Sequence, residues 1–347
     1  MTRILALATA PTEIMHCAFV LQRLESRGAD VTATLAIYGA KVSVPEPLRV
    51  EMLAQAKLFY EWARVLDFCE GTDEIMKADG RSEAIAVART RLEQEGVDLI
   101  LTSSIDKLPE RAIISAFPDA GIVLYDNGMY TYLERNVFAD SSAWKEVLTV
   151  NASDLERVVE GYFTLLEEIP PPSYLKSTTL HGFGAGEYQE RLRSLWPQIR
   201  NLPDFQLGIG EQEACHLMLG SSFHRIRQMT YQEERLIYVK HAMSVLRRDN
   251  EVILYKAKPR QHERFASFLQ EGERIRVIGS YLPAEFLPLA YNVVGVSSLY
   301  SSALLSLPMV FGMKAELLLK RDSIVADRLP HVRLLVEQFE KAAQRRH

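Results

Sequence analysis

Three short stretches carry side chains able to act on a hydroxyl and a charged leaving group. Asp126 follows the apolar run Ile122-Val123-Leu124-Tyr125 and opens Asp126-Asn127-Gly128. A carboxylate at the tip of a buried strand can take a proton from an attacking hydroxyl, help worth about 10²–10⁴-fold in rate. Asp-Asn-Gly is equally a strong turn former. Lys258-Pro259-Arg260 follows Ile253-Leu254-Tyr255. Two cations around a rigid residue can meet one phosphate from two sides, Arg as a fork and Lys as a point charge. A solvated loop is the plainer reading. Ser301-Ser302-Ala303-Leu304-Leu305 reads as a hydroxyl-bearing helix start. Free N–H groups at such a start bind phosphate, and a simple N-cap uses the same residues.

Other chemistries lack their signatures. The chain has no Gly-x-Gly-x-x-Gly, no Walker A loop and no Gly-x-Ser-x-Gly elbow. It has no His-Glu-x-x-His and no Cys/His cluster, so a site without metal is expected. Cys17, Cys69 and Cys215 are widely spaced among apolar residues and read as buried thiols of a reducing compartment.

The elements that must hold these residues alternate. Thr2 to Ala8 reads as a buried strand, Thr12 to Leu24 as a helix and Val31 to Ile37 as the next strand. Residues 46 to 95 read as mostly helical. Val97 to Thr102 and Gly121 to Tyr125 are strands around a helix at Pro109 to Ala116. Residues 153 to 167 have helical spacing. Later strands are expected at His216 to Leu219, Val252 to Lys256, Arg274 to Ile278, Val293 to Val296 and Val310 to Gly312. Helices are expected at Gln232 to Arg248, His262 to Gln270, Leu282 to Ala290 and His331 to Arg345. Strand–helix alternation implies parallel sheets, and open parallel sheets bind ligands beyond the carboxyl ends of their strands.

A chain of 347 residues, 48% hydrophobic and 24% charged, suits two globular α/β domains. Pro170-Pro171-Pro172 is the expected break. It divides residues 1–170 from residues 171–330, with residues 331–347 as a terminal helix able to cross back to the first domain. The first 170 residues carry a net charge of −11 and the remainder +6. An acidic first half argues against nucleic acid as a partner, and a basic second half suits an anionic small ligand. No apolar run reaches the ~18–20 residues of a membrane span. The expected location is the cytoplasm. The basic amphipathic terminal segment offers peripheral contact with the inner membrane.

The acidic, basic and serine stretches occur in an order that resembles bacterial sialyltransferases of the lipooligosaccharide sialyltransferase and capsular polysialyltransferase kind. The matching stretches are Tyr125-Asp126-Asn127-Gly128, Lys256-Ala257-Lys258-Pro259-Arg260 and Ser301-Ser302-Ala303-Leu304. Tyr281-Leu282-Pro283-Ala284-Glu285-Phe286-Leu287 is similar to the Pro-x-Glu segment of that family. The resemblance implies a GT-B fold, two Rossmann-like domains facing a central cleft. It implies inverting transfer of sialic acid or a related nonulosonic acid from a CMP-activated donor to a cell-surface glycan hydroxyl. The CMP-sugar would be a co-substrate, with no separate cofactor or metal. Asp126 would be the base. Lys258, Pro259, Arg260, Ser301 and Ser302 would hold the phosphate, with Ser297 and Ser298 as the alternative pair. Glu285 would accept from the ribose or cytosine. Asn127 stands at the second acidic position, and Lys258 where the family has His. A GT-B transferase using a UDP- or GDP-sugar and an inactive nucleotide-binding scaffold are the alternative readings.

Overall fold

Strand β1 (Thr2–Ala8) is buried from Ile4 onward, and its apolar residues leave no polar face. Such a strand must be covered on both sides, which is the condition of a parallel sheet. The computed structural model describes residues 1–40, 44–93, 96–126, 128–134, 152–221, 223, 228–248, 251–258, 274–279, 281–319 and 324–345. Packing divides the chain into two units, residues 1–127 with 134–183 and residues 128–133 with 184–347.

In the first unit, helix α1 (Pro11–Ser26) starts with Pro at its first position, where a missing N–H costs nothing. Strand β2 (Val31–Ile37) then pairs with β1 in parallel, from Thr2 opposite Val31 to Ala8 opposite Ile37. Helix α2 (Glu46–Phe59), β3 (Arg64–Asp67), α3 (Cys69–Lys77), α4 (Arg81–Leu92), β4 (Leu99–Thr102), α5 (Leu108–Ala116) and β5 (Gly121–Tyr125) follow. The short α6 (Ala152–Glu156), β6 (Val158–Phe163) and β7 (Thr179–Gly182) complete it. All neighbours are parallel, in the order β3-β2-β1-β4-β5-β6-β7.

Helix α7 (Ala185–Ile199) opens the long part of the second unit. Its sheet contains β8 (Ala214–Leu219), β9 (Val252–Lys256), β10 (Ile275–Ile278), β11 (Asn292–Ser298) and β12 (Lys314–Leu317). They are parallel, in the order β10-β9-β8-β11-β12. Helix α8 (Tyr231–Arg248) and the helix Pro330–Arg345 supply residues to one buried cluster, including Tyr238, Val245, Val332 and Val336 around Met218 and Tyr255.

Several expectations need correction. Residues 153 to 167 are not one helix. A single turn gives way to β6, in which Val158, Gly161 and Tyr162 are buried while Val159 is exposed and Glu160 half-buried. Burial at i, i+3 and i+4 imitates a helix and hides the two-residue period that marks a strand. The stretch 46 to 95 is mostly helical as expected, with the four-residue β3 between α2 and α3. Val310 is not in a strand but in the helix Ala303–Phe311, and the edge strand comes later as β12. Residues 282 to 290 form a one-turn Ala284–Phe286 and a short Leu287–Ala290 helix, broken by Pro283 and Pro288. The break at residue 170 does not end the first unit. The chain returns as β7 beside β6, and the unit ends at Phe183. The terminal helix packs on the core of the second unit. The expected helix His262 to Gln270 lies outside the described residues.

Gly161 in β6 tests this sheet. A Cβ there would come within 2.7 Å of Leu180 Cδ2 on β7. Gly161→Val is expected to destabilise the protein by about 1–3 kcal/mol through overpacking. A lower urea midpoint at unchanged slope would show it. An unmoved midpoint would mean that β7 does not pack there.

Candidate functional site

Both sheets reverse strand order once, between β1 and β4 and between β8 and β11. The helices after those strands leave in opposite directions, so the strand ends open a crevice. In the first unit Glu13, on the first turn of α1, occupies this place. Its carboxylate accepts from Thr9 N–H at 2.5 Å, Thr9 Oγ1 at 2.9 Å and Ser103 Oγ at 3.4 Å. It closes the amino end of α1 in the manner of a capping-box acid. Nearby, the Tyr38 hydroxyl donates to buried Glu110, with Lys107 Nζ 3.7 Å away. Burial raises the Glu110 carboxyl above the ordinary range, and the Lys107 charge partly offsets it.

Asp126 stands at the carboxyl end of β5 as expected, and it is buried. Its Oδ2 accepts from Thr164 N–H at 3.0 Å, just beyond β6. Its carbonyl oxygen is 2.9 Å from His16 Nδ1, which must therefore carry the proton. Backbone on one side and α1 on the other thus fix the residue. The turn reading and the acid reading describe one object, a carboxylate held rigid at a strand tip.

In the second unit the Tyr238 hydroxyl braces the crevice. It donates to Leu219 O at 2.7 Å and accepts from Leu299 N–H at 3.4 Å. Burial pushes that phenol up to about 12, so it remains a donor. Ser298 Oγ donates to Leu219 O at 2.9 Å and accepts from Tyr300 N–H at 3.1 Å. Ser297 Oγ lies 2.9 Å from His216 Nε2. Ser297 and Ser298 are therefore interior ties between strands. Ser301 and Ser302 instead stand half-buried at the start of the helix Ala303–Phe311. Ser301 Oγ accepts from Ala303 N–H at 3.3 Å.

Lys258 reaches the same end of the sheet. Its Nζ lies 5.7 Å from the centre of the Tyr300 ring, within cation–π range. The two stretches, far apart in sequence, thus meet at Tyr300. Glu285 is buried in the turn Ala284–Phe286, between β10 and β11. Asn127, Pro259 and Arg260 lie outside the described residues. Among the described residues, no group of three or more His, Cys, Asp or Glu side chains is placed to hold a metal ion, and no helix is long and apolar enough to cross a membrane.

The family model of the alpha-2,8-polysialyltransferases (POLYST) matches residues 81–320, well over half of the chain. The chain belongs to that family. No curated protein sequence matches it. Solved structures show the fold. The UDP-GlcNAc 2-epimerase of Methanocaldococcus jannaschii aligns over 98% of this chain and 92% of its own, with 12% identity and TM-score 0.55. The UDP-GlcNAc 2-epimerase of Neisseria meningitidis aligns over 98% and 94%, with 12% identity and TM-score 0.54. The GT-B domain of a sialyltransferase from Photobacterium damselae aligns over 97% and 96%, with 10% identity and TM-score 0.53. This member of the polysialyltransferase family therefore has a GT-B-like fold. Asp126, Lys258, Glu285, Ser301 and Ser302 all fall within the matched residues.

Sequence reasoning passed over Glu13, His16, Tyr238 and Tyr300. Each was visible as a residue just past a strand or within a helix facing strand ends. None belongs to a motif, because each acts through a partner remote in sequence.

Gly128 has φ +60, and a Cβ on it would lie 2.7 Å from Ser302 Oγ. Gly128→Ala is expected to cost about 1–2 kcal/mol from the left-handed backbone alone, plus the clash. Adding Ser302→Gly should recover the clash portion. Chemical denaturation of the single and double variants measures this, and absence of any recovery would show that the two residues do not touch.

Proposed function

We propose that this protein transfers sialic acid or a related nonulosonic acid from a CMP-activated donor to a glycan hydroxyl, with inversion. The observation that carries the reading is the meeting of Lys258 and Tyr300 immediately before the Ser301-Ser302 helix start. A cation and two hydroxyls at the positive end of a helix dipole form a receptor for one phosphate. In the transfer, Asp126 takes the proton of the acceptor hydroxyl. The hydroxyl oxygen bonds to the anomeric carbon as the bond from that carbon to the phosphate oxygen breaks. The electron pair leaves with CMP. Lys258, Arg260 and the Ser301-Ser302 start bind the departing phosphate, where negative charge develops. Pro259, between the two cations in the sequence, belongs to the same phosphate stretch. Glu285 accepts from the ribose or cytosine.

The acceptor is a glycan or glycolipid. We assign the protein to the cytoplasmic face of the inner membrane. Exposed Arg333 and Lys341 on the terminal helix support peripheral contact with anionic lipid.

Calorimetric titration with CMP, CDP, UDP and GDP, without and then with Mg²⁺, tests the donor. Selective binding of CMP without metal is the expected result. Preference for UDP or GDP would keep the fold and overturn the donor. Asp126→Asn should abolish transfer and leave CMP affinity within about twofold, because a lost base removes the 10²–10⁴-fold of proton transfer and no ground-state contact to the nucleotide. Transfer at the normal rate would remove Asp126 as base. Lys258→Ala should weaken CMP far more than cytidine. Equal losses would take Lys258 out of the phosphate site.

A further inference from the structure

His331 belongs to no motif and lies beyond residue 320, where the family match ends. It sits half-buried in the first turn of the helix Pro330–Arg345. Its ring meets the Tyr300 ring edge-on, with centres 5.4 Å apart and planes at 69°. Lys258 Nζ lies over that same Tyr300 ring. Phe223 packs against it from a third direction, with ring centres 6.0 Å apart. The Tyr300 backbone N–H is tied to Ser298 Oγ, and cation and imidazole both lie against its ring.

We propose that His331 is a second cation of the phosphate site, charged only when the nucleotide phosphate is bound beside Lys258. The inference rests on the CMP-donor reading above. In the empty site, burial and then the Lys258 charge hold the His331 imidazole below its ordinary range. It is therefore neutral near pH 7. Among the described residues, Lys258 is the charged side chain whose field reaches it. The titratable neighbour Tyr300 stays protonated, because burial lifts its phenol well above the usual value. A phosphate beside Lys258 cancels that field and adds negative charge of its own. Both changes favour imidazolium, so His331 takes up a proton on binding. By linkage, affinity rises as pH falls through the ligand-bound pKa and levels off below the ligand-free one. The Pro330–Arg345 helix then carries the cation to the leaving phosphate, and its own N-terminal dipole acts in the same sense.

The test uses the methyl phosphodiester of CMP, which has no proton of its own to titrate near pH 6. Wild-type protein should bind it more tightly at pH 6 than at pH 8. The gain is up to about tenfold for each unit that binding raises the His331 pKa. Calorimetry in two buffers of different ionisation heat should show proton uptake. His331→Gln should abolish the pH dependence and the uptake. His331→Lys should bind at pH 8 as tightly as wild type does at pH 6. A wild-type NMR titration of the His331 imidazole, empty and liganded, avoids any effect of substitution on folding. Its pKa should rise on binding. Binding that is independent of pH, equally pH-dependent in His331→Gln, or without a rise in the His331 pKa would overturn the proposal and leave the CMP reading standing. No binding of CMP or its methyl ester at any pH would overturn the CMP reading itself, and this proposal with it.

Discussion

A strand buried on both faces has no place for a polar side chain along its length. In a parallel sheet this constraint drives working groups to the carboxyl ends, where the chain turns out into the connecting helices. Most candidate residues among those described obey it. Asp126 follows β5, Lys258 follows β9, and Tyr300, Ser301 and Ser302 follow β11. The exceptions prove informative. Ser297 and Ser298 are still within β11, and their hydroxyls are consumed by His216 and by Leu219 O. Polarity inside the sheet serves cohesion, and polarity one or two residues later is available for a ligand.

The two units solve one geometric problem with different side chains. In each, strand order reverses once and a side chain bridges the divergent strand ends. Glu13 does this in the first unit and Tyr238 in the second. Around Glu13 lie Glu110, on the first turn of α5, and the buried Tyr38 phenol. Around Tyr238 lie the Ser221 and Ser298 hydroxyls and the buried Glu234 carboxylate.

Most of the framework was legible because buried strands such as Thr2–Ala8 and Val252–Lys256 are short apolar runs ended by turn residues. The motif residues were legible for the same reason: they come directly after such runs. What failed had a physical cause. In β6 Val158, Gly161 and Tyr162 are buried and Val159 is exposed, so the spacing mimics a helix. Strand β7 has only Thr179 to Gly182 to announce it, and its place is set by pairing with β6 rather than by its composition. The triple proline marks a real stiff point, yet stiffness is not a boundary when the next strand still finds the same sheet. The Tyr300 ring and its neighbours were illegible because Lys258, Tyr300 and His331 come from three separate elements.

Gly128 to Leu133 is a segment of the second unit made before residues 134–183 of the first. Its packing partner Ser302 is synthesised long afterwards. On the ribosome, chain growth at roughly 5–20 residues per second leaves that segment waiting many seconds for its fold. The first unit, in turn, must thread its own later strands past an interruption that belongs elsewhere. Neither unit is a contiguous stretch of sequence, so no single cut in the gene separates the two. The two halves of this enzyme are inherited, translated and completed together.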